Sequence, residues 1–370
     1  MASNFHAIYL KPVPWDWRWI AQVTVAIIGI LGNSMVIHVY RNARSLQKAT
    51  TNTLIAALAV ADLTTSIAVL PFPRLSYVPD NFGGHFYCKI VDSVYVMWVS
   101  LVASVFTLTV LPLERFVAVV YPLRHKRMFT TTTMRKIVAA IWLSAIFFHS
   151  FFFYTNHRAI DGSGCVVEFL SEEFQMFIGV VAFLVKFLVP VIVMLTTNVL
   201  AIRRLQRQAE SLAGSGVKNI PSSVRPQLNL LRAKRRVINM LLIVVITFII
   251  CWSPDQLAFF GFNLGIVPVS YLYIDLYLAF VLLAFINSAA NPIIYALMNG
   301  NFRKALKEVF VPSALPSSKS NSNLSGKTSL TASGGSSMKN MEKTPAASYT
   351  NRAVIMDTGE VMAEVGNMNI

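Results

Sequence analysis

The stretch "VINMLLIVVITFIICWSPDQLAFF", Val237–Phe260, decides how this chain folds. Its first eighteen residues, Val237 to Pro254, carry no charge, which supplies most of the roughly 20 residues a helix needs to cross about 30 Å of hydrocarbon. Trp252 and Pro254 stand at its end, with Asp255 directly after them. Proline removes a helix hydrogen bond and an acid is costly in lipid, so both need a reason to be there.

Similar runs recur at 19–40, 49–73, 93–113, 137–157, 174–202, 237–262 and 271–302. A soluble chain of 370 residues would intersperse charges at helix or strand period, whereas here 55% of residues are hydrophobic, 13% are charged, and the charges are segregated from the apolar blocks. This predicts an all-α integral membrane protein, a seven-transmembrane helix bundle with a short amphipathic eighth helix. The expected organisation is an extracellular N-terminus (1–18), the seven-span domain (19–300), a membrane-surface helix (301–310) and a disordered cytoplasmic tail (311–370), the last rich in Ser, Gly and Pro.

The net charge of +15 is also segregated. Arg41, Arg44 and Lys48 follow span one. Arg124, Lys126, Arg127, Arg135 and Lys136 lie between spans three and four, and Arg203 to Arg236 include nine bases between five and six. Arg303, Lys304 and Lys307 follow span seven. The opposite loops hold mostly acids, Asp80, Asp161, Glu168, Glu172 and Glu173. Basic loops face the cytosol, so the N-terminus is expected outside and the C-terminus inside, at the plasma membrane. Nucleic acid is not implied. The first eighteen residues lack an apolar core and a cleavage site, so span one is expected to act as the anchor, with Trp15, Trp17 and Trp19 at the interface. Residues 204–231, including "AGSGVKNIPSSVRP", read as a flexible loop, and "NGNFRKALKEVF", Asn299–Phe310, reads as either an amphipathic surface helix or a frayed end of span seven.

Of three cysteines, Cys88 and Cys165 fall on the outer side, where an oxidising compartment should join them, tying the loop after span four over span three. Cys251 lies within span six and reads as a packed apolar residue.

Polar groups inside spans are functional candidates, because each costs roughly 2.5–3.5 kcal/mol on insertion scales when charged. Asp62 in span two, with Asn33, Ser104, Asn287, Ser288 and Asn291 at similar depth, forms either a sodium site or a hydrogen-bonded cluster without an ion. Trp252, Asp255 and Phe259 share one face of span six, with Phe248 a turn below, and Pro254 bends the helix. Lys186 in span five sits one turn above Pro190. Lys186 and Asp255 either pair across an outer cavity, are bridged by a ligand, or are separate, with Lys186 snorkelling. Met97, Lys186, Asp255, Gln256 and Phe259 are the candidate ligand pocket.

Taken in order, "GN" at Asn33, "LAVADL" at Asp62, "LERF" at Glu114 and Arg115, Trp142, Pro190, "CWSP" and "NPIIY" with Asn291, Pro292 and Tyr295 resemble the rhodopsin-like G-protein-coupled receptors over about residues 20–310. The resemblance implies a switch in which Arg115 leaves Glu114 and engages a heterotrimeric G protein as span six swings about Pro254. Trp252 senses the ligand, and Asn291, Pro292 and Tyr295 rearrange with it. Departures are plain. Lys234 stands where the family often has an acid at the inner end of span six, Asn198 replaces its usual span-five tyrosine, Pro112 interrupts inner span three, and the distance from Cys88 to Arg115 is about two residues longer than the family suggests.

The ligand is narrowed by exclusion. Span seven has no lysine outward of "NP" for retinal, and Met97 or Tyr95 stands where amine receptors carry an aspartate, Asp92 lying too far outward to replace it. No Asn-x-Ser/Thr acceptor lies on an outer segment; Asn323–Ser325 is in the tail. "RAKRRVINMLLIVVITFIICWSP" is similar to neuropeptide receptors such as those for galanin, somatostatin and kisspeptin. A neuropeptide is favoured, an unassigned small molecule or a constitutively active receptor being the alternatives. Glu168, Glu172 and Glu173 form either a guide for a basic peptide or a solvated loop. A transporter or channel should show a repeat or a charge ring, and an enzyme a second acid or a nucleophile pair; His38 and His149 are isolated. Ser313–Ser337 reads as a receptor-kinase and arrestin target, and the final "NMNI" as a weak strand-addition motif.

Overall fold

The computed structural model describes residues 10–11, 13, 16–43, 46, 50–213, 225–268, 270–271 and 274–310. Trp15, Arg44, Lys48, Lys218 and the whole tail from 311, including its expected disorder, its phosphorylation run and its terminal motif, lie outside the described residues.

Asp16 starts the first long helix, α1 (Trp17–Asn42), by accepting hydrogen bonds from the backbone N–H groups of Arg18 and Trp19 at 2.9 and 3.3 Å. Helix α2 is Thr50–Ala68, and α3 (Phe82–Phe86) leads through a π-helical segment, Tyr87–Asp92, to α4 (Tyr95–Val120). A short helix, α5 (Pro122–Met128), turns the chain into α6 (Thr131–Phe148) and the single turn α7 (Phe152–Thr155). Then α8 (Glu172–Phe183) passes through a second π-helical segment, Leu184–Leu188, into α9 (Val189–Ala213). Helices α10 (Arg225–Asn263), α11 (Asp275–Met298) and α12 (Gly300–Phe310) complete the described chain. Seven of the resulting rods are long and apolar enough to cross a membrane, so the protein is a multi-pass membrane protein.

Helix α4 is the hub. It packs against α2, α6 and α9, while α1 packs against α2 and α11, and α10 against α9 and α11. One apolar core runs through this ring, from Val36 and Leu54 through Leu101, Val105 and Leu108 to Val244, Phe248 and Trp252. Outward, Ile20, Leu31, Leu143, Phe147 and Ile250 are exposed, which suits helices whose solvent is lipid.

One expectation needs correction. The segment 204–231 is not one loop, because residues 204–213 continue α9 and 225–231 open α10. The reason is a small apolar seam hidden among the bases, in which Ala201, Leu205, Val119 and Ile238 pack together with Leu231 beside them. Two short ribbons accompany the helices: Leu10–Lys11 (β1) pairs antiparallel with Arg74–Leu75 (β2), and Asn156–Arg158 (β3) with Cys165–Val167 (β4). The rod of span three begins at Phe82, a little outward of Cys88.

Helix α12 is a separate helix rather than a frayed end. Asn299 leaves the helical conformation, and its Oδ1 accepts the N–H groups of Asn301 and Phe302 at 3.1 Å each. Phe302 and Ala305 are buried, with Phe302 stacked on Tyr40 of α1 at 5.9 Å, whereas Arg303, Lys304 and Lys307 stay exposed. Burying a phenylalanine contributes about 1.5–3 kcal/mol, enough to dock so short a helix.

Candidate functional site

Pro190 lacks an N–H, so the carbonyl of Lys186 four residues earlier has no α-helical donor. The helix answers with the π segment Leu184–Leu188, whose wider turn buries both Lys186 and its neighbour Phe187. Lys186 is 7% exposed, and its Nζ lies 5.5 Å from the ring centre of Trp98 and 5.6 Å from that of Phe259. The snorkelling alternative is therefore excluded, since those rings belong to α4 and α10. Asp255, also 7% exposed, accepts a hydrogen bond from Gln256 Nε2 at 2.9 Å, and among the described residues no direct ion pair joins it to Lys186, although each feels the other's charge. Below them Trp252 is 2% exposed, lies tilted against Phe248 with ring centres 5.6 Å apart and has no acceptor for its indole N–H among the described residues. Met97 is buried in the apolar core close by.

A second cluster sits one layer down. Asp62 is fully buried, and its two carboxylate oxygens accept from Ser104 Oγ at 2.7 Å and Asn291 Nδ2 at 2.8 Å. Asn33 Nδ2 donates to the Ser288 carbonyl at 3.1 Å, tying α1 to α11. Among the described residues Asn287 Oδ1 and Asn291 Oδ1 are buried without a partner, and Ser288 Oγ lies beside the Asp62 carboxylate. Spare oxygens around a carboxylate suit a small cation or a few waters. Among the described residues no group of three or more His, Cys, Asp or Glu forms a metal cluster. Tyr295, below Asn291 on α11, is buried with its hydroxyl unpartnered.

The third cluster surrounds Glu114, which is 0% exposed. Arg115 Nε lies 3.2 Å from its Oε2, an ion pair without hydrogen-bond alignment. Thr50 and Thr51 of α2 donate to its two oxygens at 3.0 and 2.6 Å, and His125 Nε2 of α5 lies 2.7 Å from Oε1. Sequence reasoning found the arginine and missed the other three. In sequence His125 is one of the bases of "LRHKR", and the turn at Pro122 returns it towards Glu114.

Cys88 and Cys165 are bonded, joining the first π segment to β4. Between Cys88 and Arg115 the helix is irregular: a π segment widens it over Tyr87–Asp92, and Val94 then takes a left-handed conformation (φ 52°) before α4 restarts. Asp92 pairs with Arg74 at 3.0 Å. In the same region Glu172 and Glu173 stand in the first turn of α8, where a helix N-terminus favours acids, and Ser163's backbone N–H holds the Asp161 carboxyl below the usual carboxylate range. Asn198 is buried and donates to the carbonyl of Met194 on its own helix, and α4 continues through Pro112.

These three polar layers are strung along a seven-helix membrane bundle with a capping disulfide. Residues 32–295 match the profile of the 7 transmembrane receptor (rhodopsin family), and the chain belongs to that family. It is therefore a receptor of the G-protein-coupled class and not an enzyme. Galanin receptor 2a of Danio rerio is 28% identical over 77% of this chain and 76% of its own length. The allatostatin-A receptor of Bombyx mori is 30% identical over 77% of each chain, and galanin receptor type 2 of Homo sapiens 29% identical over 77% of this chain and 70% of its own. All three place it among relatives in the neuropeptide-receptor branch.

Proposed function

We propose that this chain is a plasma-membrane receptor for an extracellular neuropeptide, with its N-terminus outside and its C-terminus in the cytosol. The peptide enters between α4, α9 and α10 and contacts Lys186, Asp255, Gln256 and Phe259. Trp252 beneath them passes its displacement to the bend at Pro254, the inner half of α10 swings outward, and Arg115 leaves Glu114 for a heterotrimeric G protein. Asn291, Pro292 and Tyr295 repack in the same step, and a sodium ion at Asp62 with Ser104, Asn287 and Ser288 favours the resting packing. Receptor kinase and arrestin act on the tail.

One observation carries this reading: two opposite charges, both more than nine-tenths buried and not paired with each other, stand directly above the unpartnered indole of Trp252. Buried charges held apart cost stability unless something else satisfies them. The names of the relatives support a peptide as that ligand. A second reading, a receptor with high activity in the absence of any ligand, is favoured by Lys234 on inner α10, which offers Arg115 no counter-charge there.

The test is a second-messenger screen of a neuropeptide library in cells expressing the receptor, with Asp255→Asn and Lys186→Gln in parallel. A charge-assisted hydrogen bond contributes about 1.5–3 kcal/mol, so each variant should lose roughly 10- to 150-fold in potency at unchanged surface expression. Unchanged potency in both variants would remove the peptide from this cavity. No active peptide, together with basal signalling that falls in Arg115→Ala, would favour the second reading.

A further inference from the structure

Among the described residues Lys186 has no anion within ion-pair distance, the charge of Asp255 reaching it only from farther off. Its neighbours are two aromatic faces, Trp98 and Phe259, and the nearest acid, Asp255, is engaged by Gln256. Rings offset part of the ammonium's lost hydration, but they accept none of its three N–H bonds well. His149, buried and close enough to feel the charge of Lys186, brings no negative group either. The same wall has acceptors to spare: Asp255 is a carboxylate, and Gln256 Oε1 is buried without a donor. The pocket therefore lacks one anion and at least one N–H.

We propose that Lys186 is the docking point for a carboxylate of the ligand, with N–H groups of the same ligand facing Asp255 and Gln256 Oε1. The free C-terminus of a peptide meets both requirements within one residue, since its carboxylate is two bonds from its own amide N–H. A C-terminal amide in the same place offers only a neutral carbonyl acceptor and leaves the ammonium without a counter-charge. The exposed acids Glu168, Glu172 and Glu173 at this end attract bases, so the matching peptide is basic along its body, while Lys186 holds its unamidated end. This inference deepens the peptide reading above and rests on it for the ligand's class, but the anion site itself can be tested separately.

The test uses the purified full chain and two fragments that differ in charge, 3-phenylpropanoate and 3-phenylpropanamide, at millimolar concentration, read by thermal unfolding. The acid should raise the melting temperature of the wild type and of Lys186→Arg while the amide does not. Lys186→Gln, and Lys186→Met as a second variant should the first fail to fold, should respond alike to both fragments. No shift with the acid, equal shifts with acid and amide in the wild type, or an acid-specific shift that survives loss of the lysine would each overturn the assignment. A peptide library made in paired free-acid and amidated forms then separates the two claims. Acids about tenfold or more stronger than their amides on the wild type, with the gap closed in Lys186→Gln, support both. Amides that match their acids overturn the carboxylate and leave the peptide reading intact. Fragments that behave as expected beside a library with no active member uphold the anion site and overturn the peptide.

Discussion

Arg115→Ala should reduce nucleotide exchange on a heterotrimeric G protein to the level of receptor-free vesicles, while Glu114→Gln should raise ligand-independent exchange many-fold. The opposite signs follow from the geometry around Glu114. Its carboxylate is fully buried and takes Thr50, Thr51 and His125 as well as the charge of Arg115. Breaking this arrangement weakens only the packing that contains it. If about 1% of the receptor is active at rest, losing about 2 kcal/mol from the resting state alone raises the active share to nearly a quarter. Nucleotide exchange by purified receptor in lipid vesicles reads both variants. A silent Glu114→Gln with normal folding would mean that Glu114 does not restrain Arg115.

The second large effect concerns stability. Cys165→Ser should lower the melting temperature sharply and deplete the receptor from the cell surface. The bond joins residues 77 apart in sequence, and closing a loop of that length restricts the unfolded chain by about 4.5 kcal/mol in the chain-entropy account, within the roughly 2–5 kcal/mol observed for native bridges. Losing it also releases the β3–β4 ribbon from the first π segment above α4. Cys88→Ser should match it, and the double variant should be no worse than either single one, because one bond is lost in all three. Thermal unfolding of the three purified variants checks this; additive losses would show that the cysteines contribute separately.

The bundle and its polar layers were legible because a membrane makes exceptions visible. Asp62, Ser104 and Asn291 stand out within apolar runs, and they do meet, at 2.7 and 2.8 Å. Cys88 and Cys165 were readable by elimination. What stayed hidden depended on backbone irregularity or on contacts across the sequence. The π segment at Leu184–Leu188 turns Lys186 inward between Trp98 and Phe259, and no residue pattern announces such a turn beyond Pro190 itself. The left-handed Val94 has no glycine to mark it. His125 looked like one more base in a basic loop, and Leu205 and Leu231 looked like strays among arginines until α9 and α10 were seen side by side.

In the proposed switch the inner half of α10 moves away from α4 when a G protein is engaged. Nitroxide labels at Arg124 on α5 and Arg235 on α10, both exposed at the basic end, report that separation by pulsed electron resonance, and the one free cysteine, Cys251, is buried away from the label. Adding a nucleotide-free heterotrimer should shift the distance distribution to longer values, and Arg115→Ala should abolish the shift. An unchanged distribution with a heterotrimer whose exchange the receptor accelerates would contradict the account.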